Sequence, residues 1–210
     1  MHRYQILIEY VGTKFVGWQI QKKGSSIQKV IQLKLSKLLK QKIILYGSGR
    51  TDAGVHALEQ SAHFDTKNKI VNISKLIMSL NFFLNYKNIS IINIVKRNLN
   101  FHARYSAKER IYVYLIQNRL SPSTLNKERE WHIKKKLDIK LIKKGAKKLI
   151  GTHDFSTFRA SNCYSNTPVR TLKKIKTKKL NDKIIIQFKS KSFLRNLVRS
   201  MVGCLKYVGE

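Results

Sequence analysis

"KIILYGSGRTDAGVHALEQSAHFDT", residues 42–66, reads as strand, loop, strand. "KIILYGSG" (42–49) and "HALEQSAHFDT" (56–66) have β-rich composition, and Gly47, Gly49 and Gly54 bracket Arg50 and Asp52 between them. A glycine loop that opens a helix would point to a phosphate-binding α/β fold. Here a strand is expected after the loop, the Gly-Lys-Ser/Thr ending is missing, and Asp52 would meet a phosphate with the wrong charge. Two readings of the loop stay open. Asp and Gly are favoured in turns for backbone reasons, with Arg50 pairing to Asp52. Alternatively, small neighbours admit a bulky substrate, and nearby cations keep one carboxylate ionised as a nucleophile or base.

Working outward, "RYQILIEYVG" (3–12) predicts a strand, with Gly12 and Gly17 marking the turn after it. Ser25 and Gln28 are spaced as a capping box, and Ile27, Val30, Ile31, Leu35, Leu38 and Leu39 recur at helical spacing. Residues 73–84 predict a second helix and 88–98 another strand, so the first half mixes strands and helices in an α+β manner. In "KERIYVYLIQN" (108–118), Ile111, Val113 and Leu115 share one face, and Tyr112 and Tyr114 share the other. The aromatic face is expected to be exposed or turned to a ligand. Residues 138–150 predict an amphipathic helix, and 170–178 and 183–190 predict two strands joined at "LNDK". Residues 192–209 form a last helix with an apolar stripe of Phe193, Leu197, Met201 and Leu205, and with Arg195 and Arg199 on a common basic face. Two such halves, 1–100 and 101–210, are the expected domains.

The charge is strongly one-sided: 43 Lys+Arg against 11 Asp+Glu leaves 43 − 11 = +32. Such a field draws polyanions, nucleic acid above all, although a drift toward lysine accounts for part of the excess. Two cysteines, Cys163 and Cys204, form neither a metal-ligand spacing nor a disulfide framework. His56 and His63 are seven apart, and His102, His132 and His153 sit on separate segments, so no metal is expected. The nearest acids to Asp52 along the chain, Glu59 and Asp65, sit on the following strand, where a catalytic pair would need the fold to assemble it. No signal segment or apolar span is evident, which points to a soluble cytoplasmic protein with no membrane partner.

Five ordered blocks carry a resemblance along essentially the whole chain: "YVGTKFVGWQIQ" (10–21), "GSGRTDAGVHALEQSAHF" (47–64), "FHARYSAKERIYVYLI" (101–116), "DFSTFRASNCYSNTPVRTL" (154–172) and "FLRNLVRSMVG" (193–203). Together they resemble the family of tRNA pseudouridine synthase A. The resemblance implies an α+β pseudouridine synthase fold: two ferredoxin-like halves sharing a mostly antiparallel sheet, with the cleft between them. It also implies that Asp52 is the catalytic nucleophile and that Tyr112 packs on the target base, with Tyr114 the alternative. Arg50 would take that base out of the stack. Arg199 would pair with the aspartate, a phosphate contact being the other reading, and Arg159 and Arg170 read as phosphate contacts.

The implied reaction is isomerisation of uridine to pseudouridine in the anticodon stem-loop of tRNA, by a homodimer and without cofactor or metal. Base extrusion is then required, because a stacked base cannot be turned. Two local departures are mild: "FLNYKNISI" stands where the family has Leu-Pro before an acidic residue, and "LVRSMVG" has leucine for methionine. Beyond Glu210 the family continues with a helix, a loop containing Ala-Pro and Gly-Leu, and a strand. Activity is expected without them, since all four site residues precede that point. The rival class is a non-catalytic basic RNA-binding protein on the same fold, which the charge supports equally.

Overall fold

The computed structural model describes residues 1–160 and 165–210, which divide into two compact units, Met1–Ala107 and Lys108–Glu210. Cys163 and the middle of the block 154–172 lie outside the described residues. The first unit runs β1 (His2–Tyr10), α1 (Ile27–Leu38), β2 (Tyr46–Gly47), β3 (Ala57–Thr66), α2 (Ile73–Leu84) and β4 (Ile89–Arg97), the βαββαβ order of a ferredoxin-like unit. Its sheet is ordered β2-β3-β1-β4, antiparallel throughout.

Alternation along β1 aims Tyr4, Ile6, Ile8 and Tyr10 into a core shared with Ile27, Ile31 and Leu35 of α1 and with Leu76, Leu80 and Leu84 of α2. On β4 the inward phase changes from Ile89 and Ile91 to Ile94. The reason is a bulge: the register steps from Leu7↔Asn93 to Ile8↔Ile91 and leaves Ile92 unpaired and exposed.

Two local expectations change. Ser26, not Ser25, caps α1 by accepting from Lys29 N–H at 3.3 Å. Gln28 is buried instead of closing a capping box: its Oε1 accepts from Ile20 N–H (3.0 Å) and its amide donates to Leu45 O (2.7 Å). Of the strand expected over 42–49, only Tyr46 and Gly47 join the ladder. The preceding backbone is satisfied by α1 side chains, because Ile43 N–H donates to Ser36 Oγ (3.0 Å) and Leu45 N–H to Gln32 Oε1 (3.1 Å). Polar residues on α1 thus do the pairing that a neighbouring strand would do.

The second unit runs β5 (Arg110–Asn118), β6 (Trp131–Ile133), α3 (Ile139–Lys148), β7 (Gly151–Asp154), β8 (Val169–Leu180), β9 (Lys183–Ser190) and α4 (Leu197–Gly209). Its sheet is ordered β6-β5-β9-β8-β7, and only β5 with β6 is parallel. Antiparallel pairs dominate the sheet of each unit, as expected for the α+β fold. Ile184, Ile186 and Phe188 of β9 form the core with Ile142 and Ala146 of α3 and with Leu197, Met201, Val202 and Leu205 of α4.

The aromatic face of β5, expected to be exposed or turned to a ligand, is the inner, half-buried one. Tyr112 stands opposite Phe188 and Tyr114 opposite Ile186, so both tyrosines share the core face, whereas Ile111 and Val113 are 53% and 46% exposed. The last helix also starts later than expected. Asn196 takes a left-handed φ of 62°, which leaves Phe193, Leu194 and Arg195 ahead of α4 and removes Arg195 from a helical face shared with Arg199.

Buried His63 on β3 lies beside Arg3 and Asp65, which pair across β1 and β3 through two short bonds of 2.8 and 2.7 Å. Burial, then the charges of His102 and Arg3, hold the His63 imidazole down at about 4, with Asp65 acting the other way. An unfolded histidine takes its proton near about 6.5. Between those values the unfolded chain binds the extra proton, so this contribution is full above about pH 6.5 and is lost as pH falls toward 4. Wild type should therefore lose on the order of 2–3 kcal/mol more than His63→Gln across that window, measured by denaturant unfolding. Parallel pH profiles for the two proteins would refute this.

Candidate active site

The loop between β2 and β3 is fastened to the first unit from several sides. Tyr10 Oη and Thr51 Oγ1 lie 2.8 Å apart, and Trp18 N–H donates to Thr51 O at 3.0 Å. Ser48 N–H donates to Ser61 O (2.8 Å), and the Gln60 amide donates to Gly49 O (2.7 Å). Beyond Asp52, Val55 N–H donates to Asp52 O at 3.2 Å, and Gly12 N–H donates to His56 Nδ1 at 3.1 Å. A strand follows the loop, so no helix N-terminus supports a phosphate here.

Gly12 and Gly17 explain why the β1–α1 connection carries glycines. A Cβ at Gly12 would lie 2.0 Å from Val55 O, and one at Gly17, where φ is +109°, would lie 2.6 Å from Thr51 O. The two glycines let the connection pass directly against the Asp52 loop. Thr51 and Asp52 are half-buried on this seat, while Arg50, Ala53 and Gly54 are exposed. The turn and the seat below it together fix the backbone at Asp52.

Tyr112 and Arg199 belong to the second unit. The Tyr112 ring is half-buried and meets Phe193 edge-on, with centroids 5.0 Å apart at 79°. Tyr114 meets Trp131 at 6.3 Å, and burial raises its hydroxyl pKa above the usual range while the Arg199 guanidinium draws it back. Arg199 thus acts electrostatically on the tyrosine face of β5. It sits exposed in the first turn of α4, a turn without acidic residues, where the helix dipole disfavours a cation. Helix stability does not account for an arginine at that position.

His63 and His102, far apart in sequence, come together with ring centroids 4.6 Å apart. Among the described residues no three His, Cys, Asp or Glu side chains gather as ligands for a metal ion, and no helix is long and apolar enough to cross a membrane. Sequence reasoning missed Trp18, Thr51 and His56 as the parts that hold the loop. Their signal in the sequence is the pair of glycines at 12 and 17, which let the connection pass against another loop.

Fold and loop together define a strongly basic α+β protein that offers one carboxylate from a glycine-lined seat. The family model described as tRNA pseudouridine synthase matches residues 6–106 and 146–210. The chain is 65% identical over 210 residues to the tRNA pseudouridine synthase A of Pelagibacter ubique (strain HTCC1062), covering 100% of this chain and 85% of that protein. It is 41% identical over 203 residues to the tRNA pseudouridine synthase A of Neorickettsia sennetsu (strain ATCC VR-367 / Miyayama), covering 97% of this chain and 84% of the relative. The chain belongs to the tRNA pseudouridine synthase family.

Proposed function

We propose that this family member is an isomerase that converts uridine to pseudouridine in the anticodon stem-loop of tRNA, with Asp52 as its catalytic carboxylate. The observation that carries the reading is the half-buried Asp52 on its glycine-lined seat, in a chain whose relatives bear that name. The N1–C1′ bond breaks, the uracil turns while held, and a C5–C1′ bond forms. C5 gives up a proton and N1 gains one, so the product has the atoms of the substrate and no group or electron pair is brought in. Asp52 starts the sequence by attacking C1′ or by removing the 2′ proton.

The remaining roles are those the family resemblance implies, and each has a chemical reason. Exposed Arg50, two residues from Asp52, fills the stack vacated by the extruded base. Tyr112 offers a flat aromatic face to the detached ring. Arg199 keeps the carboxylate ionised as water leaves the site. The excess of Lys and Arg holds the phosphate backbone, which makes tRNA affinity strongly dependent on salt. The working form is a homodimer in the cytoplasm.

The test is to map pseudouridine in tRNA from cells with and without the gene, and in an unmodified tRNA transcript treated with the purified protein. The expected result is pseudouridine in the anticodon stem-loop only where the protein is present. A transcript left unmodified by folded protein would overturn the reading.

A further inference from the structure

A chain of aromatic rings crosses the first unit outside the Asp52 loop. Tyr46 stacks on His63 at 5.1 Å and 20°, His63 meets His102 at 4.6 Å and 64°, and His102 leans on Tyr105 at 4.4 Å and 36°. Its centre, His63, is buried, but its ends reach solvent: Tyr46 is 46% exposed and Tyr105 is 75% exposed. Single exposed rings are ordinary on a protein surface. Four rings in successive contact, ending on a tyrosine that adds nothing to the core, are not accounted for by packing.

The segment that holds Tyr105 is built rather than loose. Arg3 donates to Phe101 O at 2.8 Å, and Ala103 N–H donates to His63 Nδ1 at 3.1 Å. Within the turn, His102 N–H donates to Ser106 Oγ (3.0 Å), Ser106 N–H to His102 O (2.8 Å), and Arg104 N–H to His102 Nδ1 (3.2 Å). Two cations flank the rings: the Arg104 guanidinium lies 5.7 Å from the Tyr105 centroid, and that of Arg97 lies 5.4 Å from Phe101. Exposed, pre-set rings beside guanidinium groups are what unpaired nucleobases stack upon, while the arginines meet the adjoining phosphates.

We propose that Tyr46, His102 and Tyr105, flanked by Arg97 and Arg104, form a stacking subsite for an unpaired nucleobase of the RNA substrate, in addition to the target-base contact at Tyr112. The subsite rests on the reading of the chain as a protein that acts on tRNA. Tyr46 lies on β2, the strand that leads directly into the Asp52 loop, so a base held here rests on the element next to that loop.

The experiment measures the affinity of a fluorescently labelled, unmodified tRNA transcript by anisotropy, in an Asp52→Ala background so that nothing turns over. Tyr105→Ala should weaken binding roughly 10-fold at fixed salt, within the range for losing one base–aromatic stack. Its salt slope should stay unchanged, whereas Arg104→Gln should lower the slope by about one. Tyr105→Phe keeps the ring and should bind like the parent. Tyr105 lies outside the core, so the unfolding midpoint of Tyr105→Ala should match the parent's. Binding of Tyr105→Ala within twofold of the parent overturns the subsite. So does a changed sedimentation coefficient with unchanged RNA affinity, which would make the surface a contact between copies of the chain. Failure of the catalytic reading looks different: protein with Asp52 intact would form no pseudouridine, yet Tyr105→Ala would still lose affinity for RNA.

Discussion

Asp52→Ala is expected to abolish pseudouridine formation and to leave tRNA affinity within about threefold of wild type. The chemical loss should be at least about 1,000-fold in single-turnover rate, inside the range for removing a positioned acid–base group and conservative for a nucleophile. Affinity is spared because it rests on the large excess of Lys and Arg, and one half-buried carboxylate contributes little to a polyanion contact. Release of the C5 hydrogen from tritiated uridine in a tRNA transcript reads the first quantity, and anisotropy at fixed salt reads the second. The two measurements also separate an isomerase from a non-catalytic RNA-binding protein. An isomerase gives product with wild type and none with the variant, whereas a basic RNA-binding protein on the same fold leaves the transcript unmodified with both. Asp52→Asn belongs beside the alanine variant, because it keeps the shape of the side chain while removing its charge. Substantial product from Asp52→Asn would mean that position, not ionisation, is what the loop supplies.

Some of the fold was open to reading and some was not, for reasons that differ by element. Helix α2 was legible to the residue, since Leu76, Leu80 and Leu84 repeat at one face and Asn72 caps the start by accepting from Lys75 N–H at 2.8 Å. On β5 alternation separated the tyrosines from the aliphatics correctly, but a period of two does not say which face is inside. Only pairing with Phe188 and Ile186 decides it. Residues 42–45 have the composition of a strand, yet their partners are Gln28, Gln32 and Ser36, polar residues that a helical pattern assigns to solvent. Strands β6 and β7 are three and four residues long and carry no alternation to detect.

The site divides in the same way. Local chemistry around Asp52 left a turn and a catalytic mounting side by side, and the distant blocks holding Tyr112 and Arg199 gave the mounting its weight. What no pattern in the chain revealed is the contact of residues 46, 63, 102 and 105. Those residues meet through β2–β3 pairing and through the Arg3 and His63 bonds to the 101–103 segment, and neither leaves a periodic trace.

Trp18→Ala is expected to show the largest loss of stability, with a loss of catalysis attached to it. The indole is buried, lies beside Tyr10 with centroids 6.2 Å apart, and fits so closely under β2 that a Cβ at Gly47 would come within 2.5 Å of its Nε1. Truncation leaves a cavity beneath the start of the Asp52 loop, at a cost of about 3–5 kcal/mol by analogy with other buried tryptophans. The backbone bond from Trp18 N–H to Thr51 O survives the substitution, so the loop stays tethered but loses its packed floor. At a temperature where the variant remains folded, the single-turnover rate should fall by more than about tenfold, since small misplacements of a reacting group are costly, while tRNA affinity changes little. Trp18→Phe refills much of the space and should recover at least half of both losses. Denaturant unfolding and single-turnover assays on the three proteins check this. If stability falls while the folded Trp18→Ala protein turns over at the wild-type rate, the seat contributes to folding alone, and the position of Asp52 is set by the turn itself.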